Sequence, residues 1–218
     1  RRVDDHPVWS RMPGIFWLRY RAGRLMQADA VDLCWASGSL LPGPFAGWKT
    51  ITTVYDFNHI LAPQTMQWLN RFSMQLWFGH DVRASDRVFA ISQGSADKLQ
   101  QYFTRQCDAV IRPAVGAVFK PPSATEVERI LAQYKLENNG YLLSVGTREP
   151  RKNLLALVRC FTQLRKGDYP TLRLVLVGNL GWERGELGQA LAALPDQSIV
   201  ETGYVTDEEL VALYAGAR

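Results

Sequence analysis

The chain has 218 residues, of which 47% are hydrophobic and 21% charged, enough to build one large α/β domain or two small ones. This composition excludes a disordered chain. The 25 basic and 21 acidic side chains leave a net charge of +4, which is too small to indicate nucleic-acid binding. The three cysteines are widely spaced and include no C-x-x-C pair, so neither a disulfide framework nor a zinc site is predicted.

The termini and the hydropathy suggest a location. No apolar run approaches the roughly 18 residues of a membrane span, and the first residues lack the apolar stretch of a signal peptide. We therefore expect a cytoplasmic protein. The chain lacks an initiator Met, and its last predicted helix reaches Arg218 with no strand after it. We expect a fragment, truncated at both ends, in which each sheet lacks strands.

Charge and tryptophan divide the chain into two regions. Residues 1–118 hold 13 basic side chains against 9 acidic ones, whereas residues 119–218 hold 12 against 12. Six of the seven tryptophans precede the midpoint. This asymmetry predicts two domains with different tasks.

In the first region, helical spacing of apolar residues and runs of β-branched residues predict six elements. They are a helix over 14–28, strands over 30–36 and 49–55, a helix over 64–78, a strand over 87–91 and a helix over 96–103. Ser95 is the predicted N-cap of the last of these helices. Because strands and helices alternate, a parallel sheet is predicted.

A connection over 112–124, with three prolines and a glycine, separates the two regions, and we place the domain boundary near Val118. The second region again alternates: helix 126–134, strand 141–145, helix 154–165, strand 172–177, helix 187–193, strand 199–202 and a helix from Asp207 capped by Thr206. The predicted fold class is α/β, with two Rossmann-like parallel-sheet domains at 1–118 and 119–218.

The loop after strand 141–145 carries three cations. It begins with Gly146, and Arg148, Arg151 and Lys152 precede the next predicted helix. In an open parallel sheet, ligands bind at the carboxyl ends of the strands, where helix N-termini offer N–H groups to anions. The loop therefore predicts a seat for a pyrophosphate, although it matches neither G-x-G-x-x-G nor a P-loop. The alternative interpretation is a solvated loop with no ligand.

Strings in both regions resemble glycosyltransferase family 4, a retaining family with the GT-B fold. In the second region these are YLLSVGTREPRKNL, LRLVLVGNLGW and VETGYVTDEELVALYAGA, which resemble its donor domain. In the first region they are TITTVYDFNHILAP, RVFAISQGSADKL and VIRPAVGAVFKP. The resemblance covers about residues 25–218 and implies an N-terminal acceptor-side domain followed by a donor-binding domain.

This resemblance implies roles for residues of the second region. The cation at the position of Lys152 binds the donor's diphosphate and stabilises the leaving group, with assistance from Arg151. Many relatives have an Arg directly after the glycine, where this chain has Thr147. The full set of implied donor-binding residues is Gly146, Thr147, Arg151, Lys152, Gly178, Asn179, Tyr204 and Val205.

The first region is expected to supply residues near the reacting sugar. Relatives have a His-Asp dipeptide at the end of the corresponding strand; here Tyr55 replaces the His and Asp56 is retained. Asp56 is a catalytic candidate, and its alternative role is to cap the next turn. His59 is a second candidate for an imidazole, although a lone His in a polar loop is more often structural.

The resemblance implies retaining, metal-independent transfer of a hexose such as mannose from a nucleotide sugar to a glycan or lipid-linked acceptor, in polysaccharide or lipopolysaccharide synthesis. No cofactor is implied besides this co-substrate, and no D-x-D metal motif is present. The family's acidic pair, two Glu seven residues apart, would lie beyond Arg218, so we expect the isolated chain to be inactive. The alternatives are a nucleotide-sugar epimerase or hydrolase of the same fold, and a non-catalytic nucleotide-sugar-binding or scaffold module.

The basic and aromatic segment 9–24 has two interpretations. Its four arginines and its aromatic side chains suit contact with anionic lipid at the inner face of a membrane. Alternatively, the segment is a helix that packs on the sheet and keeps its arginines in water, which is the interpretation we favour.

Overall fold

The computed structural model describes residues 8–43, 47–179, 181, 185–194 and 198–218. The chain divides into two units, Arg1–Ala114 and Val115–Arg218, and this division lies four residues before Val118. No helix among the described residues is long and apolar enough to cross a membrane.

The first unit contains a four-stranded sheet in which every pairing is parallel and the spatial order follows the chain. Its strands are β1 (Leu33–Ala36), β2 (Lys49–Val54), β3 (Arg87–Ala90) and β4 (Ala109–Val110). The central strands β2 and β3 are the best buried, with Val54, Val88 and Ala90 fully inaccessible to water. Burial on both faces explains the β-branched composition of β2.

The first unit contains two long helical runs, several short helical elements and one further helix. The first run comprises α1 (Gly14–Trp17), a π turn (Leu18–Ala22) and α2 (Gly23–Ala28). The second follows α3 (Asn58–Leu61) and a 3-10 turn (Pro63–Thr65), and comprises α4 (Trp68–Ser73), a π turn (Met74–Phe78) and α5 (Gly79–Ala84). Helix α6 (Gln93–Phe103) follows β3.

A buried ion pair joins the two helical runs. Nη1 of Arg19 lies 2.7 Å from Oδ2 of Asp81, whose side chain is fully buried, and the Arg19 side chain is 10% exposed. Because α1 and the following turn also pack Ile15 and Leu18 against the core, the favoured interpretation of segment 9–24 as a packed helix fits the structure. Arg19, however, lies in the interior and not in water.

The second unit has a three-stranded parallel sheet made of β5 (Tyr141–Val145), β6 (Arg173–Val177) and β7 (Ile199–Gly203), with β6 at the centre. Its helices are α7 (Ala124–Gln133), α8 (Leu154–Lys166), α9 (Glu186–Ala192) and α10 (Asp207–Gly216). Together with the first sheet, this confirms the predicted α/β class with two parallel sheets.

Strand β6 divides the second unit into two cores. Val175 and Val177 pack in one cluster with residues of α7 and α10, whereas Leu174 and Leu176 pack in another with residues of α8 and α9. Successive side chains of a strand point to opposite faces, so a strand covered on both sides reads as an unbroken apolar run. The string LVLV in this strand is explained by that geometry.

Several elements differ between the prediction and the structure. Ser92, not Ser95, is the N-cap of α6: its hydroxyl accepts a hydrogen bond from the Ser95 amide at 3.1 Å. The helix predicted over 64–78 begins only at Trp68, and the helical run continues to Ala84. Strand β4 was not predicted, because two residues are too few for a periodic signal.

Candidate functional site

Two glycines bring together the loops that follow β5 and β6. Gly146 and Gly178 have φ angles of +136° and +124°, a region that disfavours other residues. A Cβ atom on Gly178 would lie 2.6 Å from the carbonyl oxygen of Gly146, so only glycine permits this approach. The Gly146 amide donates to Val177 and the Gly178 amide to Gly203, at 2.8 and 2.7 Å. The carboxyl ends of the three strands therefore form one connected edge.

Lys152 lies over this edge. The 3-10 turn Pro150–Lys152 folds the chain back, and Nζ of Lys152 is 3.1 Å from the position that a Cβ atom on Gly146 would occupy. Lys152 is exposed, and its ammonium has no carboxylate ion-pair partner among the described residues. An ammonium that lies beside the backbone of a glycine, with no counter-charge in the described part of the chain, is suited to bind an anion.

The N-terminus of α8 begins directly after Lys152. Asn153, with φ of +50°, occupies the N-cap position, but its side chain makes no capping hydrogen bond. The first N–H groups of this 13-residue helix therefore have no side-chain cap, and the helix dipole favours negative charge at this end. Together, the ammonium of Lys152 and this helix terminus are a candidate anion-binding corner.

The other two cations of this loop are already paired. The Arg148 side chain is only 8% exposed, and its Nη1 lies 2.8 Å from Oε1 of Glu201 on β7. Nη2 of Arg151 lies 2.9 Å from Oε1 of Glu149. The predicted three-cation seat is therefore wrong for Arg148, which has a structural partner; Glu201 was not identified from the sequence, since no local pattern connects it to a residue 53 positions away.

The remaining predicted donor-side residues lie at or beside this edge. Thr147 and Asn179 are exposed, and the Asn179 carbonyl accepts a hydrogen bond from the Arg148 amide at 3.2 Å. Tyr204, just after β7, is 80% exposed, while the side chain of Val205 is buried in the core. Leu180 and Trp182, in the turn predicted after Gly178, lie outside the described residues.

In the first unit, Asp56 follows β2 and is exposed. Its Oδ1 accepts from the Asn58 amide at 3.0 Å and its Oδ2 from Asn58 Nδ2 at 2.9 Å. The carboxylate thus caps the turn that opens α3, which was the alternative to its catalytic role.

His59 is buried beneath that turn, with 4% of its surface exposed. Its ring lies 4.7 Å from Phe78, between centroids, and also contacts Phe57 and Phe103. Burial lowers the pKa of His59, and the nearby Asp56 carboxylate partly offsets this by raising it. Neither ring nitrogen has a hydrogen-bond partner within the described part of the chain. This interior location does not favour the catalytic interpretation of His59.

Comparisons with known proteins identify relatives of this chain. Residues 126–218 match the family model described as glycosyl transferases group 1. The chain is 27% identical over 173 residues to O-antigen chain mannosyltransferase B from Escherichia coli, and 28% identical over 184 residues to the serotype-specific mannosyltransferase WbdA from the same organism. These matches cover 78% and 80% of this chain, which spans 45% and 22% of the two relatives.

Solved structures show the same fold. HepE from Anabaena, determined in complex with UDP and glucose, superposes with a TM-score of 0.67 at 20% identity, covering 99% of this chain and 57% of that one. WaaG, a glycosyltransferase involved in lipopolysaccharide biosynthesis, gives 0.65 at 13% identity, covering 89% and 54%. These neighbours have the GT-B fold, and the family match and the relatives together support a glycosyltransferase.

Proposed function

We propose that the second unit binds the diphosphate of a nucleotide sugar, in a protein that transfers a hexose such as mannose to a glycan or lipid-linked acceptor of polysaccharide or lipopolysaccharide synthesis. The observation that carries this proposal is the position of the Lys152 ammonium over Gly146, beside the uncapped N-terminus of α8. The match of residues 126–218 to glycosyl transferases group 1 and the two mannosyltransferase relatives support it.

In the proposed reaction, negative charge develops on the diphosphate as the glycosidic bond breaks. In the folded chain Lys152 lies over Gly146 and the first N–H groups of α8 have no side-chain cap, so these groups are available to the diphosphate as that charge develops. Arg151 adds a second cation when it leaves Glu149. We assign this charge stabilisation to side chains and backbone without a metal ion, and we assign retention of configuration at the sugar.

Asp56 is the acceptor-side candidate, because it is exposed at the carboxyl end of β2. Its two hydrogen bonds to Asn58 hold the carboxylate in one orientation, which suits a group that must contact a bound sugar. His59 is too deeply buried to share that role without a rearrangement of its aromatic surroundings.

Calorimetric titration of the chain tests this site. We expect GDP-mannose or UDP-glucose to bind, the corresponding free sugar not to bind, and Lys152→Ala to weaken donor binding measurably while the circular dichroism spectrum is unchanged. Equal binding by wild type and Lys152→Ala would contradict the assignment of this site.

Product analysis separates the alternative functions. With donor and no acceptor, a transferase leaves the donor nearly intact, whereas an epimerase or hydrolase of the same fold consumes it. Because the isolated chain is expected to be inactive, both assays use the protein that carries it. Binding without turnover by that protein, in the presence of lipid-linked or glycan acceptors, would favour a non-catalytic nucleotide-sugar-binding module.

A further inference from the structure

Arg148 contacts the chain at three points outside its own loop. Its amide donates a hydrogen bond to the carbonyl of Asn179 at 3.2 Å, and its Nη1 donates to Oε1 of Glu201 at 2.8 Å. A Cβ atom on Gly181 would overlap the carbonyl oxygen of Arg148, so the chain at this glycine passes close against it. Arg148 therefore joins the loop after β5 to the loop after β6 and to strand β7.

Burial makes this connection hard to exchange for another. The Arg148 side chain is almost fully buried, whereas the Glu201 side chain that pairs with it is partly exposed. A buried guanidinium that loses its counter-charge is costly, so Arg148 is expected to keep Glu201 as its partner when an anion binds nearby. Arg151 differs, because its guanidinium is more exposed and its partner Glu149 belongs to the same loop. Of these two pairs, the one made by Arg148 attaches the loop to another strand.

The chain between Arg148 and Lys152 is short and turned. The ring of Pro150 restricts the backbone at the start of the 3-10 turn. The Lys152 amide donates to the carbonyl of Glu149 at 2.9 Å, which holds the turn together. A displacement of Arg148 is therefore expected to displace Lys152 as well, and with it the ammonium that lies over Gly146.

We propose that Arg148 is a positioning residue: its pair with Glu201 holds the Lys152 ammonium at the candidate anion-binding corner before a donor diphosphate binds. This role assumes that the corner binds a diphosphate, and it therefore rests on the proposed function. Neither member of the pair contacts the donor, and both act through Lys152. A cation that is held in place before binding loses less conformational entropy on binding, so the pair should raise donor affinity.

Positioning and simple electrostatics predict opposite effects of removing Glu201. Glu201→Ala removes a negative charge from the region of the site, which by Coulomb attraction alone would tighten the binding of an anionic donor. If the carboxylate instead holds the loop, its loss releases the Lys152 ammonium from its position and weakens binding. The sign of the effect therefore separates the two explanations.

The test is a calorimetric titration of the 218-residue chain with GDP-mannose or UDP-glucose, whichever binds the wild type, at a temperature where circular dichroism shows every variant folded. We expect Glu201→Ala to weaken donor binding about fivefold or more, since the loop must then be ordered on binding. Glu201→Gln keeps an oxygen that can accept from Arg148 and should recover most of that affinity. The matched control Glu128→Ala, which removes an exposed carboxylate on α7, should leave the affinity unchanged.

A double-mutant cycle with Lys152→Ala tests whether the pair acts through Lys152. In the Lys152→Ala background we expect Glu201→Ala to cause little further loss of affinity, with donor raised to millimolar concentration so that weak binding is measured. Unchanged or tighter binding by Glu201→Ala alone would overturn the proposal, and so would additive effects of the two substitutions. If neither nucleotide sugar binds the wild type, or if Lys152→Ala binds as the wild type does, the proposed function fails as well. If Lys152→Ala weakens binding and Glu201→Ala does not, the positioning role alone is wrong.

Discussion

Arg148 and Glu201 connect the two outer strands of the second sheet, across the loop that follows the central one. Nη1 of Arg148 donates to Oε1 of Glu201 at 2.8 Å, and the Arg148 amide donates to the Asn179 carbonyl. The loop that begins at Gly146 is therefore anchored by a side chain as well as by its backbone. This anchor places Lys152, four residues further on, in a defined position over the glycine.

Removing Glu201 should destabilise the second unit. Breaking a fully buried ion pair costs about 3–5 kcal/mol of unfolding free energy. The Glu201 side chain is 47% exposed, so water can partly replace the carboxylate that the substitution removes. We expect Glu201→Ala to lower the free energy of unfolding by about 1–2 kcal/mol. A double-mutant cycle with Arg148→Met, measured by hydrogen exchange of the β6 amides, isolates the pair; additive effects of the two substitutions would show that it contributes nothing.

Gly178→Ala should disturb the candidate site directly. The new Cβ would meet the Gly146 carbonyl at 2.6 Å, and φ of +124° strains any side chain. We expect the free energy of unfolding to fall by about 2 kcal/mol or more. Nucleotide-sugar binding should also weaken, because the two loops must separate. Gly188→Ala in α9, where a Cβ meets nothing within 4 Å, is the control and should stabilise by about 0.5–1 kcal/mol. Similar effects of the two substitutions would contradict the predicted close approach.

Much of this site could be predicted from local sequence, but the pairing of its charges could not. Glycines that end buried strands, followed by cations and a helix, predict the position of the edge and of Lys152. Residue type and position in the loop do not distinguish Arg148 from Lys152; the family resemblance favours Lys152 but does not say what Arg148 pairs with. Only the fold brings Glu201 from a distant strand to one of them.

The fold shows the same limit. Strands β5 and β6 follow from unbroken apolar runs, and Thr206 caps α10 as predicted because the capping box with Glu209 is a local pattern. The first α6 turn is different. Both Ser92 and Ser95 suit an N-cap, and Ser95 is instead held by a hydrogen bond to the carbonyl of Tyr55, a contact that local sequence does not contain.

Asp81→Asn should destabilise the first unit strongly. The Asp81 carboxylate is fully buried, pairs with Arg19 and also accepts from the Leu41 amide at 2.9 Å. The Asn side chain keeps the shape of Asp81 but lacks the charge that neutralises Arg19. We therefore expect the free energy of unfolding to fall by about 2–4 kcal/mol. Urea unfolding followed by tryptophan fluorescence reports this, since six of the seven tryptophans lie in the first region. Asp97→Asn, at an exposed position on α6, should change stability by less than about 0.5 kcal/mol; an equal effect would refute the role of burial.

Stability of the first unit should fall as the pH is lowered through the titration range of His59. Burial lowers its pKa in the folded state below the ordinary value of 6.5. Between these two pKa values the unfolded chain binds a proton that the folded chain does not, so unfolding becomes easier as the pH falls below 6.5 towards the folded-state pKa. We expect His59→Phe to reduce this slope, by at most about 1.4 kcal/mol per pH unit, in urea titrations at several pH values. If the unfolding free energies of the wild type and His59→Phe depend on pH in the same way, His59 is not the source of the pH dependence.

Lys152→Ala should slow the chemical step more than it weakens binding of the acceptor. If the ammonium meets charge that develops on the leaving diphosphate, its loss lowers kcat by about a hundredfold or more, because no other described cation of the loop lacks a carboxylate partner. Lys166→Ala, at the far end of the same helix, removes an equal charge and should leave kcat and KM unchanged. Assays of the active protein that carries this chain, with donor and acceptor varied separately, give both constants. A rise in donor KM with unchanged kcat would mean that Lys152 binds ground state and transition state alike, and the leaving-group role would then be wrong.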